Sequence, residues 1–427
     1  MIALLLAAFA MAGLTLEQVL DASEQSAPLV SARAKADEAL GKSLAARGAF
    51  DPVLTAHGGA YVGEYPRQVT GLGLSAESGW GPELQLGLQQ GVGEFPSYDG
   101  RDAAPAEWVA RVELPLDQLG MSKAWVERGS RLAEAQQQGA LAEWKGVRLR
   151  FDAGSAYWKW VAAAESLRVA RNLLELADTR GAALARQVEE GLVAELDQVD
   201  NDRVRATRRA EVAKADGQVE AAAAKLRLYL GQDSPRLDVE EAPNLGSQAL
   251  MLGAPTTRPD RLAADAQRTA AEWTLRGARR GVLPDVKVYA QVEQPIDGSA
   301  PDALLGAAVE LPLALRKDRG GLQAAAARLQ RAEADQLWVQ QQAEAQQASA
   351  IALLAAAKKS AVAAIAAERQ AAKALRMEIV AVRLGGADRF ELLLREDLLA
   401  KARKARIDAQ LSARMAELQL AAAEGRL

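Results

Sequence analysis

The 427-residue chain contains no cysteine and a single histidine. Without cysteine it can form no disulfide bond, no thiolate metal site and no cysteine nucleophile, and it cannot carry a lipid on an N-terminal cysteine. With a single histidine and no cysteine, most catalytic pairs of a nucleophile and a base are excluded. The sequence also has no H-E-x-x-H, G-x-S-x-G, Walker or G-x-G-x-x-G motif. The sequence therefore predicts no enzyme, no metal site and no cofactor.

Large side chains are also scarce, because aromatic residues make up only 4% of the chain and the hydrophobic 49% is largely alanine. This composition favours thin helical layers over a thick globular core. Charged residues make up 25% of the chain and the formal net charge is −4. No basic domain stands out, so we expect no nucleic-acid partner.

Long apolar runs are missing beyond the N-terminus. Ile2 to Ala12 is apolar and contains the A-x-A signal Ala8-Phe9-Ala10, so residues 1–13 are predicted to be a signal peptide, although the usual positive n-region is absent. A buried first helix is the alternative. No other uninterrupted apolar stretch reaches about 18 residues, so we expect no helical membrane span. A membrane segment would have to consist of strands.

The pentapeptide Val-Glu-Leu-Pro-Leu occurs twice, at Val112 to Leu116 and at Val309 to Leu313. Each copy ends an alternating apolar/polar run and opens a long segment typical of helices. The chain therefore reads as two tandem copies of helix, strands, very long helix, turn and long helix. The predicted repeats cover residues 14–231 and 258–427, with a linker at 232–257. Their strands lie at about 53–116 and 285–313, and their helical hairpins at 117–230 and 318–424.

The helical segments are unusually long. Thr15 and Gln18 form a capping-box pattern for a first helix that is expected to run to about Arg47. The pattern from Asp117 to Glu190 predicts about 70 helical residues, or roughly 110 Å, which no compact domain accommodates. A partner helix should run back to Leu230, and the second copy should repeat this pair.

The strands alternate strictly between apolar and polar residues. A transmembrane strand with an apolar lipid face and a polar lumen face has this period, but so has a half-exposed soluble sheet. Leu84, Leu86 and Leu88 also suggest an extra hairpin between residues 64 and 107. Seven residues are predicted to lie on the polar, lumen face: His57, Arg111, Glu113, Lys287, Gln291, Glu293 and Glu310.

Four core strands, two in each copy, are too few to close a transmembrane barrel, since closed barrels begin at about eight strands. Open sheet edges cannot face lipid, so several subunits would have to share one barrel. The narrow, alanine-flanked apolar stripes of the helices fit a hollow wall of many helices. An ordinary long coiled coil is the alternative, but it leaves the strands unexplained.

At this point the residues resemble the TolC-type outer-membrane efflux proteins over nearly the whole chain. Five sequence motifs carry the resemblance and occur in the order and spacing found in that family: Leu114-Pro115-Leu116, Leu311-Pro312-Leu313, Ala156-Tyr157-Trp158, Leu230-Gly231 and Arg258-Pro259-Asp260. The resemblance implies an α+β, mostly α chain that forms a homotrimer. It also implies a shared barrel of about twelve strands in the outer membrane, joined to a long α-helical barrel in the periplasm of a Gram-negative bacterium.

The resemblance further implies a passive exit duct of a tripartite efflux pump or a type I secretion system. The partners would be outer-membrane lipid, a periplasmic adaptor protein and, through it, an inner-membrane transporter. The rival interpretation is a periplasmic structural or adaptor coiled coil without a pore, which would be soluble without detergent.

The resemblance also assigns roles to the two helix-to-helix turns. They would form the periplasmic tip that contacts the adaptor, with Asp197 and Glu391 as acids at a closed entrance. Val382 and Ala387 replace the residues that lock this entrance in some members, so Arg389 is considered as a partner for Asp197. The alternative for both acids is an exposed helix start favoured by the dipole. The predicted tip residues are Glu190, Gly191, Leu192, Val193, Leu384, Gly385, Gly386 and Ala387.

Overall fold

The computed structural model describes residues 14–63, 66–93, 106–231, 237–246, 257–298, 300–310, 315–384 and 389–427. Within them the chain is mostly α-helical and contains a six-stranded antiparallel sheet. This confirms the mixed, mostly helical fold class. The predicted signal peptide, Leu311-Pro312-Leu313 and Gly385 to Ala387 lie outside the described residues.

The order of elements repeats as the sequence predicts. The long helical hairpins have 67 and 36 residues in the first copy, and 68 and 35 residues in the second. The boundaries of the two repeats stay a prediction. The first copy contains α1 (Leu16–Ser23), α2 (Ala27–Arg47), β1 (Val53–Tyr61), β2 (Arg67–Glu77), β3 (Glu83–Gly93), β4 (Glu107–Pro115), α3 (Lys123–Glu189) and α4 (Glu195–Leu230). The second contains α5 (Pro259–Arg280), β5 (Asp285–Pro295), β6 (Asp302–Glu310), α6 (Arg316–Arg383) and α7 (Arg389–Ala423).

The first helix is shorter than expected. The capping box is present, because the Gln18 amide N–H donates to Thr15 Oγ1 at 3.4 Å and the Thr15 N–H donates to Gln18 Oε1 at 2.9 Å. The helix nevertheless ends at Ser23, and α2 begins at Ala27. Pro28 has no N–H to continue the α1 hydrogen-bond ladder, so the single helix predicted from Thr15 to Arg47 is wrong.

The first long helix starts later than predicted, at Lys123 instead of Asp117. A 3₁₀ turn follows β4, and Gly120 adopts φ +81°. The Ser122 hydroxyl then accepts from the Trp125 N–H at 3.1 Å, which caps the new helix. This turn fixes the point at which the sheet passes into the helices.

The chain packs into two compact units, each of which draws on both repeats. One unit holds the sheet with α2 and α5. The core of the other unit contains Tyr157, Trp158 and Trp160, which are fully buried. The Tyr157 hydroxyl donates to the Leu14 carbonyl at 3.0 Å, and the Arg414 guanidinium stacks 5.1 Å from the Trp158 ring centroid. The Ala156-Tyr157-Trp158 segment is thus a packing element.

Helix α6 contains a window of membrane-span length with a mean hydropathy of 1.7, of which 11% is buried. It is the one such helix found among the described residues. Alanine supplies most of its apolar character, and Lys358 and Lys359 stand next to each other in its alanine-rich segment. Length and composition alone are weak support for a membrane helix, so the expectation of no helical span stays a prediction.

The sheet joins the two copies. Its strands lie in the order β1-β2-β3-β4-β5-β6, all antiparallel, and β4 of the first copy pairs with β5 of the second. Strands β2 and β3 form the extra hairpin suggested by the sequence, with Leu74 opposite Leu86. Among the described strands, β1 and β6 each pair on one side only.

Candidate functional site: the sheet faces and the helix turns

The apolar face of the sheet is the exposed face. Register places Leu54, Leu74, Leu86 and Ala110 in one row across four strands, all pointing to the same side. Leu54 is 68% exposed and Leu86 is 60% exposed. The large apolar side chains of this face are therefore largely open to solvent in the described chain.

The polar face is the better covered of the two. In the inner strands β2 and β3, exposed and half-buried residues alternate, and Gln85 and Gln89 are half-buried while the leucines between them are exposed. A soluble sheet hides its apolar face, so this sheet has the opposite polarity. An apolar outer face with a polar inner face is the pattern of strands that separate lipid from a wet lumen.

Five of the seven predicted lumen residues form one cluster on β4 and β5. The Arg111 guanidinium contacts Glu113 Oε2 at 3.0 Å and lies 3.5 Å from Gln291 Oε1. Lys287 Nζ lies 3.2 Å from Glu113 Oε1, and Gln291 donates to Glu293 Oε1 at 2.6 Å. Positive and negative groups thus alternate along the polar face, and each is held by a neighbour.

The sequence analysis missed Tyr289 and the glycines of the polar face. The Arg111 guanidinium stacks 4.4 Å from the Tyr289 ring centroid. The same ring lies across Gly306, where an added Cβ would come within 2.2 Å of Cζ. The other two predicted lumen residues lie apart from the cluster: His57 rests over Gly71, with 2.4 Å between an added Cβ and the imidazole, and Glu310 ends β6. A large side chain on the polar face of one strand pairs with a glycine on the next strand. This pairing is the sequence signal that could have identified these sites.

The first helix turn has a well-defined geometry. Gly191 adopts φ +71°, the Leu192 N–H donates to the Gln187 carbonyl at 2.8 Å and the Gly191 N–H donates to the Val188 carbonyl at 3.0 Å. This is a Schellman motif, in which glycine supplies the left-handed conformation that ends the helix. The predicted tip residues Glu190, Gly191 and Leu192 are exposed, and Val193 is half-buried.

The two predicted gate acids lie at the starts of α4 and α7. Asp197 is half-buried, and its N–H donates to the Ala194 carbonyl at 3.1 Å. Glu391 is exposed in the first turn of α7. Leu384, the first residue of the second turn, is 81% exposed. The Arg389 side chain lies outside the described part of the chain, so the suggested Arg389–Asp197 pair stays a prediction.

No protein-family model matches the chain, and no curated protein sequence matches it. Solved structures do match. The outer-membrane channel OprN superposes with a TM-score of 0.73 at 18% identity, over 96% of this chain and 90% of that one. The Vibrio cholerae outer membrane protein VceC gives 0.66 at 19% identity over 96% of each chain. The open-state Neisseria gonorrhoeae MtrE outer membrane channel gives 0.68 at 18% identity, over 96% of this chain and 88% of that one.

The chain has the fold of these outer-membrane channels. The TolC-type fold expected from the sequence is therefore confirmed. At such low identity the likeness extends to the fold, and the roles of individual residues have to be argued from this chain.

Within this channel fold, α3 is held to α4 and α7 close to the first turn. Asn201 is buried, and its Nδ2 donates to the Ala177 carbonyl at 3.2 Å, while Arg205 Nε contacts Asp178 Oδ1 at 2.7 Å. Arg180, which is half-buried, forms an ion pair with the buried Glu396. These residues were not predicted, because a charged residue on a long helix usually belongs to a solvated face. Only the three-dimensional neighbour distinguishes Arg180 from the many exposed arginines.

The channel fold presents no metal centre in its described part. No group of three or more His, Asp or Glu side chains there is arranged to hold a metal ion. The charged groups that do come together, such as Arg111 with Glu113, form ion pairs of opposite charge. Their arrangement can line a hydrated passage and order water.

Proposed function

We propose that the chain is the outer-membrane exit duct of a tripartite efflux pump or a type I secretion system. Three copies would share one transmembrane barrel, and their long helices would form a hollow wall in the periplasm. The duct itself is passive. An inner-membrane transporter would supply the energy, and a periplasmic adaptor would join it to the duct.

The observation that carries the proposal is the reversed polarity of the sheet. A face that exposes Leu54, Leu74, Leu86 and Leu305 to water would be a strong aggregation site in a soluble protein. The same face is favourable against lipid. The polar cluster around Arg111 on the opposite face then lines the passage.

Two tryptophans support a membrane position. Trp80 lies in the turn between β2 and β3 and is 62% exposed, and Trp108 lies near the opposite end of the sheet and is 58% exposed. Outer-membrane barrels carry aromatic residues at both boundaries of their apolar band. The two residues mark the two expected interfaces.

The open edges of the sheet support assembly. Among the described strands, β1 and β6 keep one unpaired side each, and such edges cannot face hydrocarbon. Pairing of β1 with β6 of the next copy removes every edge when the ring closes. Assembly is thus a condition for insertion.

The helix turn supports an adaptor contact. Leu192, Leu196 and Val199 are 71%, 68% and 58% exposed, and they follow one another at helical spacing. An exposed apolar stripe at a helix start suits a helical hairpin of a partner, which would cover it. Leu196 and Val199 extend the tip contact predicted for Glu190 to Val193.

The native mass of the protein, extracted with detergent from outer membranes, tests the proposal. Three chains per particle are expected, and the protein should stay insoluble when detergent is omitted. A soluble monomer or dimer would contradict the duct and favour the coiled coil without a pore. Leu192→Ser with Leu196→Ser should abolish adaptor binding while the trimer persists, whereas Leu228→Ser, on an exposed leucine at the other end of α4, should leave it unchanged.

A further inference from the structure

The hairpin β2–β3 is part of the sheet and not an appendage to it. Strand β2 pairs with β1 from Val53–Ser75 to Tyr61–Arg67, and β3 pairs with β4 from Glu83–Glu113 to Gln89–Glu107. The hairpin thus fills the space between β1 and β4 with continuous ladders on both sides. A flap or a plug would leave β1 free to pair with β4.

The outer face of the hairpin has the apolar character of the neighbouring strands. Its leucines continue the band formed by Leu54 on β1 and by Val112 on β4. They are between 36% and 60% exposed. In a hairpin that lay in water or in the lumen, these apolar side chains would be exposed to solvent at a cost in free energy. The five are Leu72, Leu74, Leu84, Leu86 and Leu88.

The inner face of the hairpin is rich in glycine. Gly71, Gly73, Gly87 and Gly91 lie on it, between half-buried glutamines. The inner face of β4 and β5 instead carries Arg111 and Tyr289. The hairpin therefore adds to the circumference of the wall, and its glycines place few large side chains on the inner face.

We propose that each chain contributes six strands to the shared barrel, so that three chains build a wall of eighteen strands. The inference rests on the trimer of the proposed function. It replaces the barrel of about twelve strands that the sequence resemblance implies. Barrel diameter grows roughly linearly with strand number, so the mouth is about 1.5 times as wide as that of a twelve-stranded barrel. The outer mouth then passes hydrophilic solutes of larger radius, in a segment with little side-chain obstruction.

The decisive measurement is a cross-section of the full-length trimer in lipid nanodiscs by electron cryomicroscopy. Eighteen strands in the ring are expected. A closed ring of twelve, with β2 and β3 outside it, would overturn the inference and leave the duct intact. A particle that is not a trimer, or that does not enter lipid, would instead contradict the proposed function.

An introduced cysteine pair tests the same wall without a reconstruction, because the natural chain has no cysteine. Thr55 and Gly73 are register partners, and an added Cβ at Gly73 lies 3.3 Å from Thr55 Oγ1. Thr55→Cys with Gly73→Cys should form a disulfide in membrane-embedded trimers. Thr55→Cys with Gly87→Cys, one strand further at about 4.8 Å of extra spacing, should not. Absence of the first bond in assembled trimers would overturn the inference.

A deletion measures the consequence for cargo size. Strands β1 and β4 run antiparallel to each other, so excision of residues 66–93 leaves a chain whose β1 can pair with β4. Neutral polymers of graded size, added from the outer side of a lipid bilayer, should enter the full chain at larger radius than the deletion variant. An equal size limit in the two would contradict the wider mouth. If the variant does not assemble, the reconstruction and the cysteine pair decide.

Discussion

The end of the Tyr289 ring lies over Gly306 of the neighbouring strand, at a position where a side chain on Gly306 would collide with it. Gly306→Ala should therefore displace the ring and weaken its stacking with Arg111. Because the colliding atoms belong to the end of a half-buried side chain that can swing aside, we expect a loss of about 1 kcal/mol at most, near the lower end of the range for overpacked positions. It is measured as a lower unfolding temperature of the detergent-extracted protein.

Gly58→Ala is the matched control, because an added Cβ there meets only Thr70 Cγ2 at an ordinary 3.8 Å. It should leave the unfolding temperature nearly unchanged. In a Tyr289→Ala background the effect of Gly306→Ala should disappear. A cost that persists there would show that the ring is not its cause.

The buried pair of Arg180 and Glu396 gives a second prediction. Their side chains are 18% and 10% exposed, so Arg180→Met strands a carboxylate in a nearly dry site. Breaking one partner of a buried pair costs about 3–5 kcal/mol, whereas replacing both partners by apolar residues costs far less. Chemical denaturation of the single variant and of Arg180→Met with Glu396→Met should show this difference.

The exposed pair of Lys42 and Glu38 serves as its control. These side chains are 58% and 63% exposed, and exposed pairs contribute little to stability because water and salt screen them. Lys42→Met should therefore change the unfolding midpoint little. A similar loss of stability at both sites would mean that burial does not increase the cost of breaking the Arg180–Glu396 pair.

Gly191 in the turn between α3 and α4 and Gly217 inside α4 are expected to respond to alanine with opposite signs of stability change. Gly191 holds φ +71°, so Gly191→Ala should destabilise the turn by about 1 kcal/mol. Gly217 lies inside α4 with open space around it, so Gly217→Ala should stabilise the protein by up to about 1 kcal/mol through helix propensity. Thermal unfolding of both variants measures the difference, and an unchanged or higher unfolding temperature for Gly191→Ala would contradict the Schellman assignment.

The turn after β4 predicts a dependence on pH. Burial raises the pKa of Asp117 above its ordinary value, and repulsion from Asp285 adds to this effect. The folded state therefore disfavours the ionised carboxylate, so Asp117 costs stability at neutral pH and the cost fades as pH falls through its raised pKa. Asp117→Asn should raise the unfolding temperature at neutral pH and have little effect in acid. Asp37→Asn, an exposed change on α2, is the control and should alter the unfolding temperature little at neutral pH.

The acids at the helix starts give a prediction for the proposed gate. Asp197→Ala with Glu391→Ala removes two carboxylates from each chain at the proposed tip, so single-channel conductance should rise or block by cations should weaken. Glu220→Ala, an exposed acid further along α4, should leave the currents unchanged. Unaltered currents in the double variant would remove the gate role and leave the two acids as helix-start residues.

Much of the fold was predictable because it follows from the periodicity of apolar residues and from the residues that end helices and strands. The alternation of Val286 to Val292 and the repeated pentapeptide were enough to place β4, β5 and β6, whereas the number of strands between residues 64 and 107 stayed open. The break at Pro28 was missed because the flanking segments share helical composition, and a proline in the first turn of a helix is easily read as a tolerated residue within one helix.

The polar cluster on β4 and β5 was predictable as a face of the sheet but not as a set of contacting partners. Alternation put Arg111, Glu113, Gln291 and Glu293 on one side. Which of them meet depends on the register between β4 and β5, and these strands come from different repeats. Arg180 and Glu396 were beyond reach for the same reason, since 216 residues separate them along the chain.

The outward leucines also bear on how the protein is made. During transit through an aqueous compartment the sheet has no apolar core of its own to collapse upon, so its strands gain stability only when lipid and neighbouring copies replace water. The helical unit, with its buried Tyr157, Trp158 and Trp160, can form beforehand. For the proposed duct, biogenesis is therefore expected to proceed in two stages, in which the helical unit folds first and the sheet forms as it enters the membrane.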